Sequence, residues 1–221
     1  RDKNADIIYV SPSHMTRWGD VMSNKRRLEL VEYSFNNNST VIEDDYENDF
    51  MYNVKPTPAL FTLGHGNVIY IGSFSAMLLP GIRISFMVLN DELTKLYNQN
   101  KYKFAQTASK TEQIALCQYI RDGHINSQTR KIRRLYSNKT KDFYSILKKE
   151  FPNAQISISE NTLQIIMSVK FDKDIEVFEK SSISLFVEKY ENGLITIVLS
   201  PSGIPSSKLL EGAKTLRKAI E

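Results

Sequence analysis

At 221 residues, 41% of them hydrophobic and 24% charged, the chain can bury a real core as one large domain or two unequal lobes and is expected to be globular. Its 29 Lys and Arg against 25 Asp and Glu leave a formal net charge of +4, scattered along the chain and too mild to imply a nucleic-acid surface. A single cysteine excludes an intrachain disulfide; no run approaches the roughly 18 apolar residues of a membrane span and no signal peptide precedes Asp6, so a cytoplasmic protein with no membrane partner is expected.

Arg1 to Ala5 lead at once into the apolar run of Ile7, Ile8, Tyr9 and Val10, with no starting Met, as expected of a fragment. Apolar β-type runs at 7–10, 41–42, 68–71 and 82–89 alternate with amphipathic stretches. Such alternation predicts a parallel or mixed sheet with helices on its faces. Between the first two runs, Ser23 is placed to cap a helix that buries Leu28, Val31 and Phe35 and ends at Asn36-Asn37-Asn38.

From Asp91 to about Lys149 the pattern is helical, with Gly123 as its break. Arg130, Arg133, Arg134, Lys139, Lys148 and Lys149 are expected on a solvated face, opposite an apolar stripe of Ile132, Leu135, Phe143 and Leu147. Cys117, at helical spacing among Ile114, Leu116 and Tyr119, is expected as a small buried hydrophobe, not a nucleophile or ligand. After Phe151-Pro152 come short strands at about 155–159, 163–169, 184–187 and 194–199, closed by a helix over 206–220. That order predicts an α+β lobe. The boundary between the lobes is placed near Gly123, giving 1–122 and 123–221, with no internal repeat.

Three loops, at 11–19, 44–46 and 73–83, lie at the ends of predicted strands, where α/β sheets place their ligands. Taken singly their residues are ordinary: Glu43, Asp44 and Asp45 are acids able to cap a helix, His14 is a local hydrogen-bonding group, and Arg83 is a cation suited to a nearby acid. Taken together they form a pattern. Ser11-Pro12-Ser13-His14, then Ile42-Glu43-Asp44-Asp45-Tyr46 with Phe50, then Gly72-Ser73-Phe74-Ser75 followed by Leu79-Pro80-Gly81-Ile82-Arg83, resemble in order and spacing the signature segments of the MocR/GabR-type transcription regulators of the GntR family. The resemblance spans essentially the whole chain, to the closing Leu210-Glu211-Gly212.

The resemblance implies an α/β, fold-type I aminotransferase-like domain binding pyridoxal 5′-phosphate, of which this chain is the second half of the large domain plus the small α+β domain. It implies that Asp44 faces the pyridine nitrogen, whose protonation makes the ring an electron sink. Tyr46 and His14 are then the partners of the ring hydroxyl. Ser73, Ser75 and Arg83 hold the phosphate, which needs hydroxyl and backbone donors and a planar cationic fork.

Two positions depart from the family. Ala76 stands where relatives carry the lysine that forms the Schiff base with the cofactor. A methyl group can neither anchor the cofactor nor move a proton, so binding is expected to be non-covalent. Three origins stay open, an introduced Lys→Ala substitution, natural loss in a regulator without turnover, or a modified residue; the intact flanks favour the first. The second departure is the arginine that clamps a substrate carboxylate in relatives: its position falls near Leu194, no Arg occurs between Arg134 and Arg217, and Lys189 is the nearest cation. The Met15-Thr16-Arg17-Trp18 run after His14 also differs from the Gln-aromatic-Pro run usual in the family.

By resemblance the chain is an effector-sensing, dimerising module of a regulator. An amine or amino acid is its small-molecule effector, a homodimer its assembly, and a winged-helix domain outside these residues its only route to DNA. The alternative is a catalytic aminotransferase half inactivated by Lys→Ala at position 76, and a third is a dimerisation scaffold without cofactor. Because the family's early segments supply the ring-stacking aromatic and further phosphate contacts, residues 1–221 alone are expected to form an incomplete pocket.

Overall fold

The structure, a computed structural model, describes residues 5–16, 20–45, 57–64, 66–75, 77–78, 80–159, 162–180 and 185–221. The chain divides into two compact units inside one long helix, between Arg130 and Lys131.

The first unit is built on β1 (Ile7–Val10), α1 (Asn24–Asn36), β2 (Thr40–Asp44), α2 (Leu60–Leu63), β3 (Val68–Ser73) and β4 (Ser85–Val88). Its sheet has the order β1-β2-β3-β4, with the first two pairs parallel and the last antiparallel. Side chains alternate between the faces of a strand. One face carries Ile8, Val10, Val41 and Val68, which pack with Val31 of α1 and Leu60 of α2 into the core of this unit. The opposite face carries Ile7, Tyr9, Asp44, Ser73 and Met87, and Tyr9 is 62% exposed.

Ser23 caps α1 as expected, accepting the Arg26 N–H at 3.3 Å, and the helix ends at Asn37 and the left-handed Asn38 (φ 52°). Its buried stripe differs from the expectation. Leu28 and Phe35 are each 56% exposed, while Arg27, Val31 and Ser34 are buried. Arg27 can hold a core position because its guanidinium donates to the carbonyls of Met22 and Pro58, both at 3.0 Å, which satisfies Nε and Nη1, and because Glu43 lies beside it as a counter-charge.

The helical stretch resolves into α3 (Asp91–Asn100), α4 (Lys110–Arg121) and α5 (His124–Glu150), with the break at Gly123 in a left-handed conformation (φ 75°). Cys117 is exposed, contrary to the expectation. Leu116 is the buried residue of α4, and a one-residue step turns the next side chain about 100° around the helix, away from that contact.

In the second unit, β5 (Gln155–Ile158), β6 (Ile165–Lys170), α6 (Glu176–Lys180), β7 (Phe186–Glu191), β8 (Leu194–Leu199) and α7 (Leu209–Ile220) follow α5. The sheet order is β5-β6-β8-β7, all antiparallel. The β7–β8 hairpin turns at Asn192 and Gly193, both at positive φ, the pair a tight hairpin turn requires. Phe143 and Leu147 of α5 and Leu216 of α7 pack with Ile165, Met167, Ile195 and Ile197 of the sheet. Each such side chain contributes about 1.5–3 kcal/mol by leaving water. Leu135 falls outside this stripe and is exposed, because the sheet of this unit packs on the later turns of α5. Among the described residues no helix is long and apolar enough to cross a membrane.

Candidate functional site

Three parallel strands, β1, β2 and β3, end on the same edge of the first sheet. Two of the expected site residues close strands there: Asp44 is the last residue of β2 and Ser73 the last of β3. The register pairs Asp44 with Ile71, two residues before Ser73, and the Asp45 N–H donates to the Ile71 carbonyl at 3.0 Å. Strand parity therefore puts Tyr9, Asp44 and Ser73 on one face. The Tyr9 hydroxyl donates to the Asp44 carboxylate.

Asp44 stands between two acids that face the other way. The Glu43 carboxylate accepts the Leu60 N–H at 2.8 Å and the Phe61 N–H at 3.0 Å, capping α2, and lies 3.8 Å from the Arg27 guanidinium. Asp45 accepts the Tyr70 hydroxyl at 3.0 Å. Its second oxygen and Arg27 Nη2 are both buried without a hydrogen-bond partner among the described residues. Burial pushes the Glu43 carboxyl above the usual carboxylate range, against the pull of the Leu60 and Phe61 amides. The nearby Asp45 charge adds to the rise and the Arg27 charge opposes it. Burial lowers the Arg27 guanidinium, against the charges of Glu43 and Asp45. The helix-capping role open to all three acids thus belongs to Glu43, and Asp44 alone is presented at the strand end on the more open face.

Beyond β3 the chain turns through Phe74 and Ser75. The Ser75 N–H donates to Ser73 Oγ at 3.2 Å, which leaves the Ser73 hydroxyl proton for another acceptor. The Phe74 N–H donates to the Ile84 carbonyl at 3.0 Å, tying this turn to the residue that follows Arg83. Gly72 has no Cβ for a reason visible in the packing: one built there would meet Phe86 Cζ at 2.4 Å. Arg83 is exposed, makes no ion pair among the described residues, and adopts φ 47°. For a residue with a Cβ that left-handed conformation costs about 1–2 kcal/mol.

His14 lies in the loop after β1, half-buried, with its backbone N–H donating to the Ser11 carbonyl at 3.0 Å. Tyr46 and Ala76 lie outside the described residues, as do Phe50, Arg17, Trp18 and Leu79. In the second unit Leu194 opens β8, and the Lys189 ammonium is engaged by Glu191 at 2.9 Å, a hydrogen bond that raises its pKa. Sequence reasoning missed Tyr9, Arg27 and Tyr70. Strand parity with Asp44 was the available signal for Tyr9; Arg27 offered none, since a basic residue on an amphipathic helix ordinarily faces water.

Residues 2–198 match the family model of aminotransferase class I and II. The chain is 30% identical to the HTH-type transcriptional regulator YdeL of Bacillus subtilis strain 168, over 99% of this chain and 50% of that protein. It is 27% identical to the probable rhizopine catabolism regulatory protein MocR of Rhizobium meliloti, over 97% of this chain and 45% of that one. It spans about half the length of these curated relatives. Among solved structures, LysN, the alpha-aminoadipate aminotransferase of Thermus thermophilus complexed with N-(5′-phosphopyridoxyl)-L-leucine, superposes with a TM-score of 0.74 at 23% identity, covering 97% of this chain and 58% of that one. The expected architecture is therefore present, the likeness to HTH-type regulators extends along nearly the whole sequence, and the chain belongs to the aminotransferase class I and II family, with the fold of the fold-type I pyridoxal-phosphate enzymes.

Proposed function

We propose that this chain carries the pyridoxal-phosphate contacts of a ligand-sensing domain in a MocR/GabR-type regulator. The observation that carries the reading is the separation of three consecutive acids. Glu43 and Asp45 are consumed on one face of the sheet, and Asp44 is presented on the other, beside the strand that ends in Ser73. When bound, the cofactor supplies an electron sink whose ring nitrogen must stay protonated. A carboxylate at a strand end, held by a tyrosine hydroxyl, is the group that keeps such a proton in place.

The residues present fit the phosphate as well. Ser73 has a hydroxyl proton to donate, Ser75 lies in the same turn, and Arg83 is an exposed guanidinium with no competing acid among the described residues. The backbone strain at Arg83 also fits a binding role, since strained non-glycine residues concentrate where a ligand is gripped. With alanine at position 76 these contacts hold the cofactor without a covalent bond. Lys189 is taken by Glu191 and Leu194 opens β8, so an amino-acid carboxylate has no arginine fork here. The effector is then an amine, an amino acid held otherwise than by an arginine fork, or the cofactor itself.

Sensing follows if the bound and free states differ in how two copies associate. A ligand shifts such an equilibrium only by its difference in affinity between the two states. DNA is then reached through a winged-helix domain elsewhere in the polypeptide.

The test uses the full gene product titrated with pyridoxal phosphate and followed by absorbance. Saturable binding weakened about 10- to 100-fold by Arg83→Met supports the reading, as expected for loss of a charge-assisted contact. Binding that ignores Arg83→Met and Asp44→Asn together defeats it. Ala76→Lys separates regulator from enzyme: lysine-bound cofactor absorbance with no transamination identifies a sensor, and rapid turnover of an amino donor with a keto acid identifies an aminotransferase.

A further inference from the structure

We infer that Tyr9 is a positioning residue for the cofactor's ring nitrogen, acting through Asp44; the inference rests on the reading of Asp44 given above. Tyr9 lies on β1, at the edge of the sheet, and Asp44 closes the neighbouring β2. The parallel register sets Tyr9 opposite Ile42, so a two-residue step along β2 brings Asp44 to the same face, one strand away. There the Tyr9 hydroxyl donates to Asp44 Oδ2.

A carboxylate at a strand end can rotate about its side-chain torsions, and a ring nitrogen is a single, directional partner. With one oxygen fixed by a donor from the adjacent strand, the plane of the carboxylate is set and the other oxygen is left to accept. The two flanking acids face the other way, Glu43 held by Leu60, Phe61 and Arg27, and Asp45 by Tyr70 through one oxygen.

The contact makes a prediction that a merely structural tyrosine would not. In the 1-deaza analogue of pyridoxal phosphate a C–H replaces the ring nitrogen while the phosphate and aldehyde remain. Binding of the two ligands to the full gene product therefore isolates what Asp44 contributes. The wild-type protein is expected to prefer pyridoxal phosphate, and Tyr9→Phe to reduce that preference by roughly tenfold while leaving affinity for the deaza analogue unchanged. An undiminished preference in Tyr9→Phe overturns the inference, and so does an equal loss of affinity for both ligands, which would mark a role in folding alone. If the wild-type protein binds both ligands equally well, the reading of Asp44 itself fails, and Tyr9 falls with it.

Discussion

The guanidinium of Arg27 and the carboxylate of Glu43 meet at 3.8 Å with no side-chain exposure on either partner. They lie on the face of the sheet opposite Asp44, and Glu43 is the residue immediately before it. Such a pair is not in itself a strong source of stability, because desolvation offsets most of the attraction. Its consequence is geometric: the end of β2 is pinned from behind by Arg27 and by the first amides of α2.

Removing the cation exposes that dependence. Arg27→Met should destabilise the fold by about 3–5 kcal/mol near neutral pH, because a buried carboxylate is left without its counter-charge. Burial already raises the Glu43 carboxyl, and loss of Arg27 removes a charge that opposes the rise. A folded-state pKa above the unfolded one gives stability that is full below the unfolded value and is lost as pH rises through the folded value. The deficit of Arg27→Met should therefore be smaller at pH 5 than at pH 8. Denaturant unfolding of both proteins across that range checks it, and a deficit that grows on acidification would contradict the arrangement.

Tyr70 holds the second flanking acid. Tyr70→Phe keeps the ring near Phe86 and deletes the donor to Asp45, whose other oxygen is already buried without a partner among the described residues. A cost of about 1–3 kcal/mol is expected from leaving that carboxylate unsatisfied. Equilibrium unfolding measures it, and a cost within a few tenths of zero would mean that Asp45 recruits another donor.

Much of this was legible in the residues. The apolar runs gave each strand to within a few residues, Ser23 and the asparagine cluster bounded α1, and Gly123 marked the helical break. The positions of Asp44 and Ser73 at strand ends also followed from pattern. What the sequence concealed was the buried charge. Arg27 occupies the stripe that Leu28 and Phe35 were expected to share, and partners on other elements, the Pro58 carbonyl and the Glu43 carboxylate 16 residues later, help make that burial tolerable. Cys117 misled for a related reason: several apolar neighbours at helical spacing permit more than one buried face, and contacts made elsewhere in the fold choose between them.

Gly72 tests the packing behind the serine turn. An alanine there would place its Cβ 2.4 Å from Phe86 Cζ and 2.7 Å from Cε1, so the Phe86 ring has to swing away from its contacts with Tyr70 and Phe74. Gly72→Ala should cost about 1–3 kcal/mol, as overpacking does. Because Gly72 immediately precedes Ser73, the shift should also weaken phosphate binding, measured as affinity for pyridoxal phosphate against pyridoxal without its phosphate.

Arg83 joins strain to charge in one residue, and substitutions can separate the two. Its φ of 47° disfavours any residue with a Cβ, and glycine adopts it freely. Arg83→Gly relieves the left-handed conformation, worth about 1–2 kcal/mol, against a loss of about 0.5–1 kcal/mol for the extra freedom of glycine in the unfolded chain. Arg83→Ala keeps the strain and loses the guanidinium. The glycine variant should therefore unfold at higher denaturant than the alanine variant, by an amount equivalent to roughly 1 kcal/mol, while both bind pyridoxal phosphate at least about tenfold more weakly than wild type. That outcome would identify Arg83 as a position where stability is given up for a fixed positive charge. Should the two variants prove equally stable, the backbone at position 83 relaxes once the guanidinium is gone, and the strain is held by the side chain and not by the turn between 80 and 84.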